Sequence, residues 1–444
     1  MDQLSKFCAE IKSILNDDNN LTIQEARKVV KHINDFLYTN YSDIGSTYVL
    51  GGEREYFSDF HKFWEKHHKE ILDCKIDDKK CELVADALHD VFIKTNGEAF
   101  KESYDTYGLA KDEICRIRLL TANQDFNGSL EFGQMAKIYK TDNSIFDEKL
   151  IHLEPSHFIN EIKLSNKSQN DKRNKYAQNI SKFLIEKKCS PYELIEFYNR
   201  DVFQLRMDLI SYYSAGYGNK KADMFIRDMV VLGVWNNVKG FDKIDVASDV
   251  NTIKVALRTG IIKSQIPLVS SFLDIFCYQY EYIDTMNAKA WRKVWEIWNK
   301  KYPMECLESP CLIDYFIYNV VGKQFCKEIL YYFSCEKHGH IFKWHSPLNK
   351  TCQICYKNGV KERVPAILID KRMPCADEDG SIAILHTKYV SELPMDKKMK
   401  ECPFKYICGN KRTLQPPKSI SILGRTGWTT AYTRKGNGGG GLMS

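Results

Sequence analysis

The chain contains 444 residues, of which 43% are hydrophobic and 12% are aromatic. This length and composition exclude a disordered chain and suffice for two or three domains with hydrophobic cores. The net charge is a mild +6, from 64 basic and 58 acidic residues, but residues 397–444 contain ten Lys or Arg and one acid, Glu401. This basic tail either binds a polyanion or is simply solvated.

The sequence shows no positively charged leader with an apolar core, and no apolar run reaches the length of a membrane span. We therefore expect a cytoplasmic protein, nucleoid-associated in a bacterium, with no membrane partner. Its fifteen cysteines would then lie in a reducing compartment. Disulfides are not expected in such a compartment, so clustered cysteines are interpreted first as metal ligands.

Residues 1–105 show helical patterns without an associated chemistry. Thr22 and Glu25 form a predicted capping box at the start of a helix over 21–33, and apolar residues recur at helical spacing over 81–93. The sequence therefore predicts a helical extension that serves packing.

Helical patterns continue to about residue 330, where the composition changes to Cys, Pro and Gly. After a polar connection at 166–175, helices are predicted at 180–187, 191–199, 202–213, 221–232, 268–280, 288–299 and 310–321. A strand is predicted at 364–369. We expect a mainly α protein with domains at 1–105, 106–330 and 331–444.

Two glycines, Gly216 and Gly218, separate the predicted helices at 202–213 and 221–232. Glycines allow a sharp turn and a close approach of the backbone to a ligand. The next helix begins there with unpaired N–H groups and a positive dipole end, which suits a phosphate group. Because Lys220 lies on this turn and a carboxylate follows at Asp249, the pattern indicates chemistry on nucleic acid.

Residues 216–223 (Gly-Tyr-Gly-Asn-Lys-Lys-Ala-Asp) resemble the hairpin of the helix-hairpin-helix DNA glycosylases, the HhH-GPD or endonuclease III-like superfamily. The lyase members use the lysine two places after the second glycine as nucleophile, which corresponds to Lys220. Residues 119–126 resemble the Leu-Leu-Ser-Ala-Gln helix of the family, whose Gln fills the gap left by an extruded base. The segment in this chain has one residue more than the family pattern, so either Gln124 or Asn123 would take that role.

Residues 248–261 resemble the segment in which the catalytic aspartate of the family opens a helix, and Asp249 takes that place. Asn251 and Lys254 stand where the family has His and Arg. Lys220 and Asp249 are 29 positions apart, which is longer than usual, and the extra length forms a predicted loop over 234–243. Asp245 is a competing candidate, but only Asp249 keeps the register of the rest of the segment.

The resemblance implies a two-lobed helical fold with an N-terminal extension and a C-terminal cysteine-rich lobe. It implies a monomeric enzyme that flips a damaged or modified base out of duplex DNA, including viral DNA, and cleaves its N-glycosidic bond. Asp249 would be catalytic, and Lys220 would be either an AP-lyase nucleophile or a phosphate contact. The DNA contacts would be Gln124, Asn123, Gly216, Tyr217, Gly218 and Lys221, with the Tyr217 side chain exposed toward DNA.

Four potential metal ligands occur in two closely spaced pairs. Cys335 and His338 form a C-x2-H pair, and Cys352 and Cys355 form a C-x2-C pair. Three thiolates and one imidazole suit a structural zinc ion with no open position. Unliganded buried thiols are the alternative, and His340 and His345 are expected at the surface or in packing.

A second cysteine set resembles the ends of the iron–sulfur loop found in many family members. Cys402, which precedes a proline, and Cys408 match one end, and Cys326 matches the other. With Cys375 as the fourth ligand, the set would hold a [4Fe–4S] cluster. A second zinc ion, or a cluster that uses Cys335, remains an alternative.

Two other functions are compatible with the sequence. A ribonucleoside N-glycosylase, similar to the queuosine-salvage hydrolases, needs neither a phosphate-binding hairpin nor a residue that fills a base stack. A non-catalytic DNA-binding scaffold needs no carboxylate at Asp249. Salt-dependent binding to duplex DNA distinguishes the nucleoside enzyme from the two DNA-binding functions.

Overall fold

The structure is a computed structural model. It describes residues 3–15, 47–48, 54–55, 59–102, 104–125, 130–163, 170–264, 281–322, 330–339, 341–344, 351–360, 362–372 and 402–408.

Most of the described chain is helical, as the sequence predicts. The α-helices are α1 (Gln3–Leu15), α2 (Asp59–Leu72), α3 (Asp78–Thr95), α4 (Lys111–Ala122), α5 (Phe132–Thr141), α6 (Glu148–Leu153), α7 (Pro155–Glu161), α8 (Asn170–Lys187), α9 (Leu194–Phe197), α10 (Val202–Ser211), α11 (Asn219–Val231), α12 (Val250–Thr259), α13 (Glu281–Lys301), α14 (Ile313–Tyr315), α15 (Gln353–Lys357) and α16 (Lys405–Cys408). A π-helix covers Phe316–Gly322, and short 3₁₀ turns cover Glu98–Phe100, Asn143–Phe146, Phe241–Lys243 and Pro310–Leu312.

The strands form small antiparallel sheets. They are β1 (Thr47–Tyr48), β2 (Arg54–Glu55), β3 (Lys75–Ile76), β4 (Ile262–Lys263), β5 (Leu330–Cys335), β6 (Ile341–Trp344) and β7 (Ala366–Arg372). β1 pairs with β2, β3 pairs with β4, and β5 lies between β6 and β7 in a three-stranded sheet.

The chain divides into two compact units. Unit 1 comprises Met1–Ala99, Ser248–Cys306 and Tyr315–Ser444, and unit 2 comprises Phe100–Ala247 and Leu307–Asp314. Residues up to Ala99 therefore share unit 1 with later segments of the chain. The domains predicted at 1–105, 106–330 and 331–444 stay predictions.

Unit 2 contains a large apolar core. Its inward faces come mainly from α4, α8, α10 and α11, and the Phe225 and Trp235 rings meet edge to face at 5.5 Å.

An ion network is buried in the same unit, where Arg227 bonds to Asp228 (2.9 Å) and to Asp314. Arg206 and Asp223 form a buried ion pair between α10 and α11. This pair joins the two helices that flank the glycine hairpin.

Unit 1 is organised around the packing of α3 on α13. Phe92 of α3 meets the buried Trp298 of α13 edge to face at 5.9 Å. A separate small core lies in the β5–β6–β7 sheet, where the stacked rings of Phe333 and Phe342 are 5.5 Å apart. Cys335, Cys352 and Cys355 are buried in this small core.

Several predicted elements are confirmed and others are wrong. The helices predicted at 81–93 and 288–299 lie within α3 and α13. Those predicted at 202–213 and 221–232 overlap α10 and α11, and the strand predicted at 364–369 overlaps β7. The connection predicted at 166–175 is wrong from Asn170 onward, because α8 begins there. The helix predicted at 191–199 is confined to Leu194–Phe197, since Asn199 and Arg200 adopt positive φ. The predictions at 21–33 and 268–280 lie outside the described residues.

Candidate functional site

The glycine hairpin connects α10 to α11 through residues 212–218. The chain turns through the left-handed region at Ser214 (φ 53°) and Gly216 (φ 79°). A Cβ atom on Gly216 would lie 2.5 Å from the ring of Tyr176 on α8. Both the backbone angle and the contact therefore require glycine at this position.

Side chains from the surrounding helices hold the hairpin backbone in place. Asn123 donates a hydrogen bond to the Ala215 carbonyl (2.9 Å), and Asn179 donates to the Ser214 carbonyl (3.2 Å). In the other direction, Tyr217 of the hairpin donates to the Leu119 carbonyl of α4 (2.6 Å). Because these bonds reach both α4 and α8, the hairpin is fixed to the body of unit 2.

The N-terminus of α11 faces solvent. Gly218 is the N-cap residue and supplies no side-chain cap, and Gly218, Asn219 and Lys220 are all exposed. Among the described residues, no atom lies within 4 Å of a Cβ built on Gly218. The first N–H groups of the helix and its positive dipole end are thus accessible to an anion.

Lys220 and Lys221 have different environments. Lys220 is exposed, whereas the Nζ of Lys221 donates to the backbone carbonyl of Asn123 (2.8 Å). Burial lowers the pKa of Lys221 to about 8, although Asp125 partly opposes this shift. Lys221 therefore links α11 to the end of α4, and its predicted contact with DNA stays a prediction.

The prediction that Tyr217 is exposed toward DNA is wrong. Its side chain is buried, and its ring packs edge to face on Phe225 at a centroid distance of 6.3 Å. The hydroxyl group is occupied by the carbonyl of Leu119. The phenol thus belongs to the core, because its hydroxyl finds a buried acceptor there.

Asn123 and Gln124 are both buried at the end of α4. The side-chain amide of Gln124 donates to the carbonyl of Arg173 (3.2 Å), and the Arg173 guanidinium donates back to the carbonyl of Gln124 (2.7 Å). These bonds hold α8 against the end of α4. The role of either residue in filling a base stack stays a prediction.

Asp249 opens α12. Its Oδ1 accepts from the Thr252 backbone N–H (2.7 Å), and the Thr252 hydroxyl accepts from the Asp249 N–H (2.9 Å), which completes a capping box. Asn251 donates to Oδ2 of Asp249 at 3.5 Å. The competing Asp245 lies in the irregular segment before the helix.

A polar network that the sequence did not predict supports this capping box. Asn287 of α13 donates to the hydroxyl groups of Ser248 and Thr252, both at 3.0 Å, and Ser248 donates to Asp284 at 2.8 Å. The network becomes visible only once α12 is packed on α13. An isolated asparagine on a long helix such as Asn287 does not indicate in the sequence which residues it will contact. Asp249 belongs to unit 1 and Lys220 belongs to unit 2.

The predicted zinc ligands converge in the β5–β6–β7 region, where they could hold a metal ion. Thiolate ligands of a tetrahedral zinc ion lie about 3.8 Å apart, and the Sγ atoms of Cys335 and Cys355 are 3.8 Å apart. The Nδ1 of His338 lies 3.8 Å from the first sulfur and 3.2 Å from the second. Cys352 is adjacent, since its Sγ accepts from the backbone N–H of Cys355 (3.5 Å).

The two neighbouring thiols of this cluster differ: burial and the contacts with Cys352 and Cys335 raise the pKa of Cys355, whereas Cys335 favours the thiolate. Burial disfavours ionisation of Cys335, but hydrogen bonds from the backbone and side chain of His338 outweigh it and lower the pKa of Cys335 to about 6. A thiolate is the form that coordinates a metal ion.

The predicted iron–sulfur set is only partly described. Cys402 precedes α16 and Cys408 is its last residue. A hydrogen bond from Lys80 Nζ to the Ile407 carbonyl (3.0 Å) ties this helix to α3. Cys326 and Cys375 lie outside the described residues, as do His340 and His345.

Comparisons with known proteins do not place the chain in a family. No protein-family model matches it, and no curated protein matches it either. Across the described part of the chain, every helix is too short or too polar to cross a membrane.

Proposed function

We propose that this protein is a DNA glycosylase that extrudes a damaged or modified base from duplex DNA and cleaves its N-glycosidic bond. The hairpin at 212–218 is the observation that carries the proposal. It is held rigidly by α4 and α8 and leaves the uncapped N-terminus of α11 exposed beside Lys220. Such a helix end suits a DNA phosphate, which positions the protein without selecting a sequence.

Asp249 is the proposed catalytic carboxylate. As the base leaves, positive charge develops on the sugar, and a fixed carboxylate at a helix N-terminus stabilises that charge. Water then donates its hydroxyl group to C1′ and a proton to the departing base. The capping box and the contact from Asn251 hold the Asp249 side chain in one orientation for this role.

Lys220 is the proposed lyase nucleophile. A neutral amine at this position attacks C1′ in place of water, releases the base and forms a Schiff base with the opened sugar. Elimination of the 3′ phosphate then cuts the strand. The exposure of Lys220 beside the phosphate-binding turn supports this assignment over Lys221, whose amine is bonded to Asn123.

The metal group is proposed to be structural zinc. Cys335, His338 and Cys355, with Cys352 beside them, provide four protein ligands and leave no position for a reacting water. Zinc would stabilise the small core that these cysteines share with Phe333 and Phe342.

Base release from cellular and modified viral DNA tests the proposal, with wild type compared with Asp249→Asn, Asp245→Asn and Lys220→Gln. We expect abasic sites from wild type and Asp245→Asn but none from Asp249→Asn. Asparagine still caps the helix through its side-chain oxygen, so this loss would be chemical rather than structural. Strand cuts and borohydride-trapped complexes should disappear in Lys220→Gln while abasic sites remain.

Two results would contradict these assignments. Base release that is undiminished in Asp249→Asn would exclude this carboxylate from catalysis. Failure of wild type to release a base from any of these DNAs would favour the nucleoside or scaffold function.

A further inference from the structure

Tyr213 is an exposed aromatic residue on the hairpin, immediately before the turn. Its side chain is 77% exposed. The Nζ of Lys175 lies 4.9 Å from the centre of the ring and 3.4 Å from the hydroxyl oxygen. One face of the ring therefore meets a cation, and much of the side chain still contacts solvent.

The position of Tyr213 is set by its anchored neighbours. Tyr212 packs edge to face on Phe183 at 5.1 Å and donates a hydrogen bond to Glu186 at 2.7 Å. On the other side, Ser214 adopts a left-handed conformation, and its carbonyl accepts from Asn179. Because both adjacent residues are tied to α8, the Tyr213 ring projects from a fixed backbone.

Two lysines at the start of α8 lie near the hairpin, and one of them, Lys175, contacts this ring. Lys172 and Lys175 lie on exposed positions of the first turns of α8, beside one acid, Asp171. The Nζ of Lys172 is 5.6 Å from the centre of the Tyr176 ring, which in turn packs on Gly216. The hydrogen bond from Lys175 lowers the pKa of the Tyr213 phenol, as expected in a positive potential. The combination of lysines and an exposed aromatic face is typical of surfaces that bind single-stranded nucleic acid.

We propose that Tyr213 stacks on an unpaired base of the bound DNA, with Lys175 and Lys172 contacting the phosphates beside it. The base would stack on the ring face opposite Lys175. The proposal rests on the proposed function for its partner, DNA, and adds a second contact that does not involve Asp249. The proposal also predicts which DNA this surface prefers. That DNA is a duplex in which one nucleotide is extruded, so that an adjacent base has lost its stacking neighbour.

Binding of the full chain to a duplex with 2-aminopurine next to a tetrahydrofuran abasic analogue tests this proposal. Stacking on an aromatic ring quenches 2-aminopurine, so wild type and Tyr213→Phe should quench its fluorescence. Tyr213→Ala should not, and its affinity should fall about ten-fold, as for other base–aromatic stacks. Lys175→Gln should weaken binding and reduce the salt slope by about one.

Lys182→Gln is the matched control, because Lys182 is an exposed lysine two turns further along α8 and pairs with Glu186 at 3.7 Å. It should bind and quench as wild type does.

Quenching and affinity that survive in Tyr213→Ala would overturn the stacking proposal while leaving the glycosylase proposal intact. Equal losses in Tyr213→Phe and Tyr213→Ala would also overturn it, because the hydroxyl group rather than the ring would then matter. A wild-type protein that binds none of these duplexes would overturn the glycosylase proposal as well.

Discussion

At the scale of single residues, the adjacent lysines of the hairpin show how burial changes the chemistry of one residue type. Lys221 has its ammonium group bonded to the Asn123 carbonyl, and burial lowers its pKa from 10.5 to about 8. Lys220 is exposed one residue earlier. The folded state therefore favours the neutral amine of Lys221, while the unfolded state keeps it charged to higher pH.

This difference predicts a pH-dependent effect of Lys221→Met on stability. Between pH 8 and 10.5 the unfolded state binds more protons at Lys221 than the folded state, so this residue makes the free energy of unfolding rise with pH. Below pH 8 and above 10.5 its contribution is constant. Denaturant unfolding across this range should show wild type gaining stability relative to Lys221→Met.

Lys220→Met is the control for this measurement, since it removes an exposed lysine from the same helix turn. It shows how much of the change follows from removing any positive charge in this turn. A flat difference for Lys221→Met would show that the Lys221 amine is not buried in solution.

The sequence could predict residues whose role depends on local pattern. The resemblance of residues 248–261 to a family segment predicts a helix start at Asp249, and spacing alone groups Cys335, His338 and Cys355. Tyr217 could not be placed correctly, because its burial depends on the Leu119 carbonyl 98 positions earlier.

At the scale of elements, the hairpin depends on Gly216 far more than on Gly218. Gly216→Ala would place a methyl group 2.5 Å from the Tyr176 ring at a φ of 79°. Left-handed backbone and overpacking together should lower the free energy of unfolding by at least about 2 kcal/mol. Gly218→Ala has open space and an extended backbone. It should cost less than about 1 kcal/mol, because alanine is only a poorer N-cap.

Chemical denaturation of both variants measures this contrast. Gly218→Ala should still weaken DNA binding, since its methyl group crowds the exposed N–H groups of α11. Equal stabilities for the two variants would contradict the described turn.

Helices with strong periodicity were predictable, and α8 shows where this fails. Residues 170–175 are so polar that the pattern predicts a connection, yet the structure places Arg173 in the interior. Its guanidinium is satisfied there by the carbonyl of Gln124, 49 positions away. A buried charge can be stabilised by a hydrogen bond to a backbone group far away in the sequence, and the local sequence pattern does not show such a bond.

At the scale of the whole molecule, the units are assembled from segments far apart in sequence. In unit 1, His89 bonds to Glu305 at 2.8 Å and stacks on Tyr302 at 3.7 Å, across more than 200 positions. Lys301 pairs with Asp86 at 3.0 Å. Periodicity shows that each helix has an apolar face but not which other helix covers that face, so the predicted boundary near residue 105 could not reveal this assembly.

Metal content provides a prediction for the whole chain. Elemental analysis of the purified protein should find zinc in wild type and Cys402→Ser but not in Cys355→Ser, because loss of one thiolate opens a tetrahedral site. Cys355→Ser should also expose the sheet around Phe333 to proteolysis, since the metal ligands and this ring share one small core.

If Cys402 holds an iron–sulfur cluster, iron and absorbance near 400 nm will be lost in Cys402→Ser and retained in Cys355→Ser. Each variant is thus the control for the other. Loss of zinc from both variants would mean that Cys402 contributes to the same centre, and zinc retained in Cys355→Ser would exclude the proposed ligand set.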